Sequence, residues 1–250
     1  MGIDLSWKLD PPKPFRTAAV VLNEKYEMED AALLTTDDDI LAFVKKYKDE
    51  GCMVGIDAPL VVPPYQKQRG CEQRLLSCGI GVFPGKREWL VKTFGGIRGE
   101  VLVDKLGCID IPLKDSPVIG KEKSALFEVY PYATWKVLFG PKKVPKNKNT
   151  GRVRKEEGLG MLKRQLLSQN PPLKLKGKKE HLLKADIKGL KNRELDQLGD
   201  LLDAAVAAYT VLLFYRHGED RCVVLGDKEE GFILTLVSDC LRRAARISKE

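Results

Sequence analysis

Histidine is almost missing from this chain of 250 residues: there are two, His181 and His217, with no paired spacing. A zinc site of the usual His/Cys kind therefore has little to be made from. The six cysteines (Cys52, Cys71, Cys78, Cys108, Cys222, Cys240) do not change that, because they are scattered without a Cys-x-x-Cys pair. The opening MGIDLSWKLD is charged early and lacks the apolar core of a secretory leader. The cysteines accordingly read as reduced thiols, mostly in the interior, of a cytoplasmic protein. Long apolar runs are scarce too: none approaches the roughly 20 residues that cross a bilayer, so no membrane association is expected. A metal bound by such a chain has to be a hard cation held by oxygen.

What is present fits an ordinary globule. An apolar share of 43% and a charged share of 31% argue against wholesale disorder, and the length suits one generous domain over 1–250. The net charge of +8 is unevenly placed. Residues 136–194 hold 18 Lys and Arg against 5 Asp and Glu, so the rest of the chain is net negative. Cations for phosphates beside carboxylates for metal ions is the division a nucleic-acid enzyme needs. Beyond Trp135 this basic segment contains a single aromatic, Phe139, so it offers few platforms for base stacking. That favours backbone contact with duplex or structured nucleic acid, RNA or DNA.

The order of elements is α/β. Gly2 to Trp7 reads as a first strand, Thr17 to Asn23 as a second and Ala31 to Thr35 as a third; the 11–14 proline cluster keeps that stretch out of any central strand. Asp37 to Lys48 is an amphipathic helix, and Cys52 to Pro59 a buried strand stopped by proline. Helices are expected over Gln68 to Cys78 and Lys86 to Phe94, then a strand over Ser124 to Tyr130. About 140–190 forms a basic loop-and-helix insertion with a helix from Arg154 to Ser168. Asn192 to Tyr215 is the strongest helix, with a core stripe of Leu195, Leu198, Leu202, Ala205, Tyr209 and Leu212. Two late strands, Cys222 to Leu225 and Gly231 to Val237, close the domain. The sum is a mixed central sheet with three leading antiparallel strands and helices on both faces, the ribonuclease H-like order.

Three acids interrupt apolar strand patterns: Asp4 in Gly-Ile-Asp-Leu, Asp57 in Gly-Ile-Asp-Ala-Pro, and Glu128 in Phe-Glu-Val-Tyr-Pro. A carboxylate among Ile, Val and Phe costs several kcal/mol unless it is paired or bound to a cation. In open α/β sheets, strand-end side chains line the ligand crevice. The long helix adds Asp196, Asp200 and Asp203 on one side. Asp196, near the helix start, complements the helix dipole. Ala204, Ala205, Ala207 and Ala208 are small enough for the helix to lie close on the sheet and carry Asp200 and Asp203 toward Asp4 and Asp57. Such crowding needs a counter-charge, and two Mg²⁺ ions would supply one while serving a phosphodiester displacement.

These motifs resemble the DUF429 family: Gly-Ile-Asp-Leu-Ser near the start, GIDAPL, Arg69-x-Cys71-Glu72, FEVYP, and DLLDAAVAA with a late EEGFI strand. Members of that family are predicted, largely by fold, to be ribonuclease H-like nucleases. The resemblance implies a two-metal phosphodiesterase holding Mg²⁺ or Mn²⁺ on Asp4, Asp57, Asp200 and Asp203, similar to Holliday-junction resolvases. Those enzymes work as dimers, so a homodimer is an expectation, although no dimer face is legible. Glu128 is either a ligand or the holder of a lysine or arginine behind the ligands. The family usually shows Asp where this chain has Glu72, which argues against a metal role there. Arg69 either contacts phosphate or pairs with a carboxylate; Arg152, Arg154 and Lys155 are candidates to track the phosphate backbone.

Two other readings compete. An actin-like phosphotransferase also opens with Gly-Ile-Asp, but its Asp is followed by a glycine-bearing turn that cradles phosphate. Here Asp4 runs into Leu5-Ser6-Trp7-Lys8 and Asp57 into Ala58-Pro59, whose proline has no amide to donate. A non-catalytic nucleic-acid or protein-binding module would keep the fold without metal affinity.

Overall fold

The structure is a computed structural model that describes residues 1–9, 17–64, 68–116, 124–140, 142–176 and 182–246. The 11–14 proline cluster, His181 and the lysines at 178–179 lie outside them. The elements run β1 (Gly2–Asp4), β2 (Thr17–Leu22), β3 (Met28–Leu34), α1 (Asp37–Lys48), β4 (Met53–Asp57), α2 (Gly70–Ser77), α3 (Arg87–Phe94), α4 (Arg98–Gly107) and β5 (Ala125–Glu128). They continue with α5 (Pro131–Phe139), α6 (Arg152–Leu167), α7 (Asn192–His217), β6 (Cys222–Asp227), β7 (Gly231–Leu236) and α8 (Asp239–Arg246).

Five strands form one mixed sheet in the order β3-β2-β1-β4-β5. β1, β2 and β3 are antiparallel neighbours, whereas β4 and β5 run parallel to β1. The expected mixed sheet with three leading antiparallel strands and helices on both faces is therefore present. The period of two along each strand sorts the core. Ile3, Ala19, Val21, Val54, Ile56 and Leu126 pack with Ile40, Phe43 and Val44 of α1 and Leu102 and Leu106 of α4. On the other face Ala18, Val20, Ala125 and Phe127 meet the leucines and alanines of α7.

The repeated Gly-Ile-Asp now has a physical reading, position by position. Isoleucine faces α1 and α4, while the glycine two residues before each aspartate faces α7. A Cβ on Gly2 would overlap the Ala204 carbonyl and the Ala208 amide; one on Gly55 would lie 2.5 Å from a Val211 methyl. Only glycine lets the alanine run of α7 come this close, and the aspartate beyond it emerges on the same face as the helix. α7 is long and apolar enough to cross a membrane by composition, contrary to the expectation that no stretch was, but its most apolar window is 89% buried against this sheet. It is the core helix.

Several expectations are corrected. The two late strands are present, but as a two-stranded sheet of their own, β6 with β7, linked to the main sheet by a bridge between Leu234 and Val129. Three helices were not anticipated. Pro131 read as the end of a strand, yet proline at the first helical position starts α5. α4 and α8 are short helices of 10 and 8 residues. α8 also carries Cys240 onto α2, where it forms a disulfide with Cys78. Two of the six cysteines are thus not reduced thiols; Cys52, Cys71 and Cys222 are buried and free, and Cys108 is free and exposed.

Candidate active site

β1 and β4 pair in parallel register, with Asp4 directly opposite Asp57. Neighbouring strands lie about 4.8 Å apart, so the two carboxylates stand side by side at the strands' C-terminal ends. Asp203, from the facing turn of α7, joins them in lining a cleft of about 670 Å³. Asp200 sits one turn earlier, close enough to act on Asp4 electrostatically. The structure thus brings Asp4, Asp57 and Asp203 to one cleft, with Asp200 outside its lining.

Their partners differ. Asp203 is buried and held on both oxygens: Trp135 Nε1 donates to Oδ1 at 2.9 Å, and Lys148 Nζ to Oδ2 at 2.9 Å. The same ammonium lies 3.9 Å from Asp200 Oδ1. Among the described residues, neither the Asp4 nor the Asp57 carboxylate accepts a hydrogen bond or forms an ion pair. Burial accordingly pushes Asp57 up to about 8, with Asp203 adding and Lys148 opposing. Burial likewise raises Asp4 well above the usual carboxylate range; Lys148 opposes it and the three other aspartates reinforce it. Asp203, first among its neighbours, holds the Lys148 ammonium above its ordinary value.

Lys148 is the residue that sequence reasoning missed. It lies in the strap formed by 142–151, one lysine among many, and nothing in the pattern distinguishes it. The strap is pinned from behind: a Cβ on Gly158 of α6 would overlap the Lys146 carbonyl, and Gly199 of α7 faces Asn147. Lys143, Lys146 and Lys148 all line the cleft. Arg152, Arg154 and Lys155 do not. Arg152 reaches Glu156, Asn192 and the Leu190 carbonyl, and Lys155 pairs with Asp196, so both tie α6 to the start of α7. Arg154 is exposed outside the cleft.

Glu128 and Arg69 resolve each other's roles. Arg69 grips Glu128 with two parallel bonds of 2.8 and 2.6 Å and Glu72 with a third of 2.8 Å. The Leu60 amide donates to Glu128 and the Gly85 amide to Glu72. All three side chains are buried. Burial pushes Glu128 up and Arg69 opposes it. Glu128 has no oxygen left open to the cleft, and Arg69 has no face left for phosphate. The Leu60 amide, the first after Pro59, donates to Glu128 and is not free for a phosphate.

The open donors suit a hard cation. Among the described residues no three His, Cys, Asp or Glu side chains gather closely enough to enclose a metal ion by themselves. Mg²⁺ does not require that, being held characteristically by one or two carboxylates plus water and substrate phosphate. Asp4 and Asp57 fit that requirement.

Fold and site together define an α/β protein with an acidic, strap-covered cleft at the ends of its parallel strands. The chain belongs to DUF429, a family of proteins of unknown function, whose model matches residues 2–230. No curated protein and no solved structure matches it.

Proposed function

We propose that the fold is ribonuclease H-like and that the chain is a metal-dependent phosphodiesterase acting on nucleic acid. One observation carries this reading: two half-buried carboxylates, in register and with no hydrogen bond or ion pair to the described residues, open onto a cleft lined by lysines. The strand order, three antiparallel strands followed by two parallel ones, supports the fold. Asp4 and Asp57 would hold Mg²⁺ or Mn²⁺, with Asp203 and Asp200 completing the acidic set. When bound, the cation supplies counter-charge to the carboxylates and to the phosphate oxygens. Lys143 and Lys146 draw the phosphate backbone into the cleft. Lys148 Nζ, fixed between Asp203 and Asp200, is preorganised toward negative charge developing on a phosphate. Trp135 holds Asp203 in place so that Lys148 stays there.

The presence of Lys148 also favours a second reading, a nucleic-acid-binding module without catalysis, because a lysine already balances part of the acidic set. Cleavage of labelled single strands, duplexes, hybrids and four-way junctions separates the two. The nuclease reading expects cutting that needs Mg²⁺ or Mn²⁺, stops in EDTA and disappears in Asp4→Asn and Asp57→Asn. No cutting of any substrate, with a melting temperature indifferent to metal, would leave the binding module.

A further inference from the structure

The strap is poor in aromatics, but the cleft it covers is not. Six rings from four other segments line it besides Trp135 of the floor. One wall is an edge-to-face chain: Phe83 on Trp7 at 6.3 Å, Trp7 on Phe94 at 5.6 Å, and Phe94 on Trp89 at 5.5 Å. Trp7 is anchored by its indole N–H, which donates to the Asp57 carbonyl at 3.1 Å. The wall is therefore fixed to the strand that bears a carboxylate. At the end of β5, Tyr130 and Tyr132 lie 6.1 Å apart, and Tyr130 donates to the Gly81 carbonyl of the loop that carries Phe83. Phe83 is 67% exposed and Tyr132 40% exposed. Folding has left two aromatic rings substantially in water, which is costly for large apolar side chains. They line the same cleft as Asp4, Asp57 and Asp203 and as Lys143, Lys146 and Lys148.

We propose that this cleft binds single-stranded nucleic acid, stacking unpaired bases on Phe83 and Tyr132 while the strap lysines follow the phosphates. The inference rests on the phosphodiesterase reading for its choice of nucleic acid, and names the form that the site takes. Within a duplex the base faces are covered by their neighbours, so an aromatic platform finds a partner only in an unpaired base. Stacking is indifferent to base identity, and lysine meets phosphate as a point charge. Recognition is then by strandedness more than by sequence. A single-stranded ligand departs from the duplex preference suggested by the strap's composition, because the rings come from residues outside the strap.

The test is fluorescence-anisotropy binding in EDTA, where cleavage by a metal enzyme cannot interfere, using a labelled single strand and the same strand annealed to its complement. The expected result is tighter binding of the single strand. Phe83→Ala and Tyr132→Ala should each weaken it by about 5- to 100-fold, with little effect on the duplex. Both rings are exposed, and Phe83→Leu, which keeps apolar bulk without a stacking face, should weaken it as well. Lys143→Ala with Lys146→Ala should flatten the slope of log affinity against log salt by roughly 0.7 for each phosphate no longer neutralised. Equal or tighter duplex binding, or single-strand affinity unmoved by Phe83→Ala and Tyr132→Ala, would overturn the proposal. Single-strand binding without metal-dependent cutting would sink only the nuclease reading. Metal-dependent cutting confined to duplexes would sink only this one.

Discussion

Asp57 and Glu128 sit near the ends of neighbouring parallel strands, each set among apolar residues, yet their carboxylates meet opposite surroundings. Glu128 is enclosed by Arg69 and the Leu60 amide, an arrangement in which charge, hydrogen bonds and burial balance. Asp57, like Asp4 beside it, is half-buried, has no hydrogen bond or ion pair to its carboxylate among the described residues, and faces a cleft. A buried acid with its partners in place is architecture. One that opens on a cleft without such partners is a candidate site.

Removing the partner should break that contrast most violently. Arg69→Met leaves Glu128 and Glu72 as uncompensated buried charges, and a loss of about 3–5 kcal/mol is expected in chemical denaturation. Stability unchanged by Arg69→Met would mean that the pair is not structural. Asp57→Asn should do the reverse in metal-free protein. A carboxyl whose folded-state pKa lies above its unfolded value binds a proton in the folded state that the unfolded chain has released. Its contribution is present at low pH and is lost as pH climbs from its ordinary 3.8 to about 8. Relative to wild type, Asp57→Asn should therefore gain stability across that window, by at most about 1.4 kcal/mol per pH unit, and level off above it. Denaturant titrations in EDTA at several pH values read this directly; a flat difference would contradict it.

Smaller changes sharpen the comparison. Gly2→Ala forces α7 off β1 and separates Asp4 from Asp203, at about 1–3 kcal/mol in thermal unfolding. It should also weaken any effect of divalent cations, which a purely structural glycine would not. Trp135→Phe removes one hydrogen bond to Asp203, and about 1 kcal/mol is expected.

The sequence made the aspartates legible because their signal is local: an acid in an apolar strand, with a glycine two residues earlier, is readable without knowing its neighbours. The alanine run of α7 was readable for the same reason, and both describe one contact, helix backbone against strand backbone. What escaped depended on partners far apart in the chain. Arg69 and Glu128 are 59 residues apart, so nothing near either revealed which of its two roles it held. Lys148 looked like any residue of a solvated basic loop until Asp203 was found against it. The aromatic wall is assembled from Trp7, Phe83, Trp89 and Phe94, none of which sits in the basic segment whose composition suggested the substrate. Cys78 and Cys240 meet across 162 residues, through a helix that was itself unforeseen. Arg152 and Lys155 carry the charge that suits phosphate, and charge alone does not distinguish a phosphate contact from a brace between two helices.

The central claim is that Asp4 and Asp57 await a cation that Glu128 does not need. Calorimetric titration of Mn²⁺ into the wild-type protein and into Asp57→Asn tests it most directly. The account predicts saturable binding to wild type that Asp57→Asn abolishes. No binding to wild type, or binding that survives in Asp57→Asn, would contradict it.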